Sequence, residues 1–309
     1  MKKLVSTTLV VVLIAAFALV VAAQKPKSKE DAFKEIATLS NTKKPEDAEK
    51  AYQLSKDFLA RFGKDKKDES VGKIKKFSDS YREAAFLRSV DEKKAADAFG
   101  YGKDILADTP DDAAVMMNLA YAGYNAMTIN RDKTFVDESI NYAKTAVAKI
   151  EGGSTPKSFA PFRDKDDSMA FMYYIVGSLL LEKDPKEAAS NIYKATTYPS
   201  TVKESPGPYY LIAAYYEDLY AKSSAAIKAK TLSDADFKAE SAKINNIIER
   251  MMDAYARAYK IGQKQNNPAI TEWKQRLDQI YAFKNKSTEG LNEFINYANT
   301  TKMQDPANF

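Results

Sequence analysis

Apolar residues recur at i, i+3, i+4 and i+7 along almost the whole chain, and no segment alternates apolar with polar positions between turn signals. That period is the signature of an all-helical protein. Prolines and glycines punctuate it at Pro45, Pro110, Gly152 with Gly153 and Pro156, Pro185, Pro199, Pro206 with Pro208, and Pro268. These are residues that start or stop helices, proline because it lacks the amide hydrogen and glycine because its backbone is free. Between them the pattern predicts twelve helices, at 29–40, 46–62, 69–89, 92–108, 111–127, 134–150, 167–182, 185–197, 207–229, 234–262, 268–283 and 287–300. Ser233, Thr109 and Ser287 each precede an expected first turn, where a hydroxyl can accept from a free amide.

The first residues break the pattern. "MKKLVSTTLVVVLIAAFALVVAAQ" has Lys2 and Lys3 ahead of an apolar run, small residues at Val21 and Ala23, and no further charge before Lys25. This is the layout of a bacterial secretory signal peptide over residues 1–23, cut before Gln24. The expected location is the periplasm or the outside of the cell. Left uncleaved, the run from Leu4 to Ala23 would instead anchor the chain to the inner membrane, since spanning takes about 20 apolar residues. No cysteine follows it, which excludes a lipid anchor of the lipoprotein kind.

Residues 24–309 read as helix pairs in a shared register. Three helices carry Met116, Leu119, Ala120, Gly123; Tyr173, Val176, Gly177, Leu180; and Tyr209, Ile212, Ala213, Tyr216. Each runs large, then an adjacent large and small pair, then a site that is aromatic or Leu in two of the three. Partner helices carry Ala188, Ile192, Ala195 and Met251, Tyr255, Ala258, with weaker matches at Ala48, Tyr52, Ser55 and at Ala98. Fixed-period self-similarity of this kind resembles the tetratricopeptide repeat family. The resemblance implies a right-handed superhelical solenoid of about six antiparallel helix pairs. The small residue would let the partner helix approach, and an insertion near 151–168 would lengthen one repeat. Gly102 and Gly123, where the family prefers aromatics, mark the thinnest part of the match.

Composition then narrows the chemistry. Neither His nor Cys occurs, so the common near-neutral general base, thiol nucleophiles and nearly all zinc sites are missing. The acid clusters "TPDDAA" and "RDKDDS" read as helix starts, where carboxylates favour the helix dipole, and not as a Ca²⁺ loop. No catalytic residue, metal or cofactor is expected, and a carboxylate-based enzyme is only a third reading. The formal net charge of +5 is not gathered on one element, which argues against nucleic acid as partner.

The family binds protein or peptide segments along the concave face lined by first helices, and the resemblance implies the same here. Rotated from the packing register toward that face are Met117, Tyr121 and Asn125; Phe171, Tyr174 and Glu182; and Tyr210, Glu217 and Asp218. The tyrosines would supply amphipathic anchors. The three acids would form an acidic end for a segment carrying Lys or Arg. A small-molecule or glycan binder with Tyr-rich walls is the alternative.

Overall fold

The computed structural model describes residues 27–228 and 233–309, so the expected signal peptide lies outside the described residues. Those residues are all helical, with no strand among them. The helices are α1 (Lys29–Ser40), α2 (Pro45–Phe62), α3 (Glu69–Asp91), α4 (Ala95–Asp108), α5 (Ala113–Asn130) and α6 (Val136–Glu151), then α7 (Lys165–Leu180), α8 (Pro185–Thr197), α9 (Gly207–Lys228), α10 (Asp234–Lys264), α11 (Ile270–Asn285) and α12 (Leu291–Thr300). A 3-10 turn at Pro306–Asn308 follows. The observed ends lie within four residues of the expected ones, the largest displacement being the start of α12. Among the described residues no helix is long and apolar enough to cross a membrane.

Local chemistry explains the starts, with two corrections. Ser233 caps α10 as expected, its hydroxyl accepting from the Asp236 amide at 3.2 Å. Thr109, in contrast, ends α4 and donates its hydroxyl to the Ile105 carbonyl at 3.0 Å. Asp112 caps α5 in its place, accepting from the amides of Ala114 and Val115 at 3.0 and 3.2 Å. A carboxylate is the stronger acceptor at the positive end of a helix. Ser287 accepts from the Glu289 amide at 3.0 Å inside a turn, and α12 begins only after Gly290, whose φ of +82° suits glycine.

The chain divides into two compact units, residues 1–84 and 85–309, with the division inside α3. In the first, α1 packs on α2 around Ile36, Ala51, Phe58, Val71 and Ile74. Tyr52 stacks on Tyr81 at 5.2 Å, and the Tyr81 hydroxyl donates to Glu49 Oε2 at 2.9 Å.

In the second unit consecutive helices pack together: α4 on α5, α5 on α6, α6 on α7, α7 on α8, α8 on α9, α9 on α10 and α10 on α11. Contacts also join α5 to α7 and α10 to α12. All twelve residues of the shared register, from Met116 to Tyr216, are buried. The small sites sit where backbones come closest. A methyl at Gly177 would lie 2.8 Å from the Ala188 carbonyl oxygen and 3.0 Å from the Ile192 amide of α8. α5 buries eleven of its 18 residues, as a helix covered on several sides must.

Residues 152–164 form the inserted loop, which contains a cis Ala160–Pro161 peptide. It is tied down by Asn118, whose amide donates to the Ala160 carbonyl at 3.0 Å. At its end Asp164 caps α7, accepting from the Asp167 amide at 2.9 Å. Asp167, 3% exposed, takes the amide and hydroxyl of Thr201 on Oδ1, both at 2.8 Å, and the Arg163 amide on Oδ2 at 3.2 Å. This carboxylate fixes the loop before α9 to the start of α7.

Candidate functional site

The nine stripe residues have three different environments. Met117 and Asn125 are buried in α5, and the Asn125 side-chain nitrogen has no hydrogen-bond partner. Tyr121 of α5 and Phe171 of α7 are brought together, but through Phe162 of the inserted loop. Its ring meets Tyr121 edge-on at 5.7 Å and Phe171 at 5.2 Å. Phe162 is itself only 7% exposed, so the loop roofs this half of the stripe.

On α9 the expected face is taken up by other helices. Tyr210 stacks on Trp273 of α11 at 5.5 Å and meets Tyr255 of α10 edge-on at 6.3 Å. Glu217 forms an ion pair with Arg276 of α11, and Asp218 pairs with Lys222 at 2.5 Å. Glu182 pairs with Lys133 at 2.9 Å, and this lysine holds its carboxyl below the usual glutamate range. Each of the three acids thus has a cation of the chain beside it.

Tyr174 is different. With Glu182 it borders an open recess of about 580 Å³ lined by residues of α5, α7 and α9. α5 contributes Tyr124, Met127 and Thr128, α7 contributes Tyr174, Ser178 and Leu179, and α9 contributes Leu211, with Val136 of α6 and Leu181 completing the apolar lining. Tyr124 meets Tyr174 edge-on at 6.1 Å. Burial first, and the Tyr174 hydroxyl second, push the Tyr124 phenol well above its ordinary value, so the Tyr124 ring is a neutral anchor at physiological pH. At the rim the Lys133–Glu182 pair is joined by Lys183–Asp137 at 3.4 Å and by Arg131.

Sequence reasoning missed Met127, Val136, Leu179, Leu181 and Leu211. The signal was present for α5 and α7. Residues 124, 127, 128 and 131 continue at helical spacing from Tyr121, and 178 and 181 from Tyr174. For α9 it was absent, because Leu211 lies about 100° round the helix from Tyr210 and only the packing of α11 tells which one faces the recess.

Among the described residues no group of three or more carboxylates could hold a metal ion. The recess offers apolar surface, two phenols and paired charges, which is binding chemistry. No protein-family model matches the chain, and no curated protein or solved structure matches it.

Proposed function

We propose that the chain is a non-catalytic scaffold of the bacterial cell envelope, built as a right-handed solenoid of tetratricopeptide-like helix pairs, that holds a protein or peptide segment in its concave face. The observation that carries this reading is the recess shared by α5, α7 and α9, to which Met127, Tyr174 and Leu211 bring apolar surface from one helix each. The consecutive packing of helix pairs and the contact between α5 and α7 support the architecture.

The segment it suits carries one or two large aliphatic or aromatic side chains, with polar residues to either side that meet the ion-paired rim. Tyr124 and Tyr174, already fixed against each other, lose little freedom on binding, which is what makes tyrosine a frequent hot spot. A photo-crosslinking residue at Met127, compared with one at exposed Thr145 on the outer face of α6, tests the assignment in cells that make the protein. A discrete adduct should form from position 127 alone and disappear when Tyr174→Ala is added, a change expected to cost about 2 kcal/mol of binding. Adducts that form equally from both positions, or that survive Tyr174→Ala, overturn the groove reading.

A further inference from the structure

A second recess, of about 410 Å³, opens between α10, α11 and α12. Sites for small ligands run from roughly 300 to 1,000 Å³. Its aromatic side is Tyr281 and Phe294, with rings 5.8 Å apart, and Tyr297, which is 65% exposed. The facing wall is the segment Thr301–Gln304, held in place by the backbone. Arg257 Nη2 donates to the Thr301 carbonyl and Arg250 Nη1 to the Asp305 carbonyl, at 3.0 and 2.9 Å.

The polar groups on this recess are mixed in kind and nearly all neutralised. Glu249 pairs with Lys284. The donors of Arg250 are taken up by Asn246, Tyr216 and the carbonyls of Asp305 and Asn308. Asp253 accepts Nε and Nη2 of Arg257, both at 3.0 Å, and no other donor among the described residues. A carboxylate has about four acceptor positions, so half of its capacity is unused. Burial also pushes its carboxyl above the usual range, as expected of a carboxylate short of donors. Gln304 and Lys302 line the same space, and their side chains have no hydrogen-bond or ion-pair partner among the described residues.

We propose that this recess binds a neutral saccharide. A sugar ring has an apolar C–H face that suits an aromatic wall and a rim of hydroxyls that both donate and accept. Asp253 accepts hydrogen bonds from hydroxyls, Gln304 donates and accepts, and Lys302 donates. Of the charged side chains on the recess only Lys302 has neither a counter-ion nor a hydrogen-bond partner among the described residues, so a formally charged ligand would meet a single such cation and otherwise groups already engaged. Peptide binding at the first-helix recess neither requires this site nor is required by it.

The test uses saturation-transfer NMR and calorimetry on the full chain, with cellobiose, maltose and N,N′-diacetylchitobiose as probes. At least one should bind, and Tyr297→Ala should weaken it about tenfold through the lost stacking. Gln304→Ala should weaken it too. Tyr297 is exposed, so the thermal melt of that variant should match the parent, and Tyr174→Ala should bind the sugar as the parent does. Absence of binding by all three probes overturns the proposal. So does a dissociation constant unchanged by Tyr297→Ala.

Discussion

Two mid-helix glycines make opposite predictions for one chemical change. A methyl added at Gly100 in α4 meets nothing within 4 Å. Only the helix preference for alanine then acts, about 1 kcal/mol in its favour. At Gly177 in α7 the same preference is opposed by three contacts: Ile192 Cγ1 at 2.5 Å, the Ala188 oxygen at 2.8 Å and the Ile192 nitrogen at 3.0 Å. The isoleucine side chain can turn aside, but the two backbone atoms move only if α8 moves. Overpacking of a tight core costs about 1–3 kcal/mol, and backbone displacement belongs at the upper end. Gly177→Ala should therefore lose about 2 kcal/mol net, which separates the two variants by about 3 kcal/mol. At roughly 2–4 °C per kcal/mol for a chain of this order, Tm values should differ by about 6–12 °C. Thermal melts followed by helical circular dichroism measure this directly. If Gly177→Ala melts at or above the parent, α7 and α8 do not approach as closely as described, and the small site of the repeat register has lost its physical basis.

Asp167 should behave as a structural carboxylate. Asp167→Ala removes the acceptor of the Thr201 amide and hydroxyl, on a residue that water can reach, and should cost about 2 kcal/mol, whereas Asp167→Asn keeps one oxygen and should cost about 1 kcal/mol. Equal urea midpoints for the two variants would contradict this network. A second test is alkaline. Burial pushes the phenols of Tyr209 and Tyr216 above their ordinary value, and both are buried at 5% and 0% exposure. With the folded value raised, their contribution is fully present below the unfolded tyrosine pKa near 10 and is lost as pH rises through the folded values. Stability should fall by roughly 1.4 kcal/mol per pH unit for each such tyrosine. Phenolate absorbance should therefore rise together with loss of helicity; ionisation of every tyrosine near pH 10 with the helices intact would refute it.

The helices and their packing register were legible because both depend on local information. Period, punctuation and caps lie within a few residues of each other, and Leu119, Val176 and Ile212 are buried because each helix has one face that cannot face water. The binding face was only partly legible, because it is decided by which neighbour covers which helix. Tyr121 and Phe171 keep the expected spacing, yet Phe162 reaches them from a loop whose path no periodicity encodes. Tyr210 and Leu211 are adjacent in sequence, and Trp273, more than sixty residues on, decides which of them is covered. The insertion bears on the proposed function in the same way. By placing Phe162 over the first turns of the stripe and stopping there, it closes one half of the first-helix face and leaves the Tyr124–Tyr174 half open. A segment bound in this face would then be short, read by a few anchor side chains at the open end, with the inserted loop setting where recognition begins.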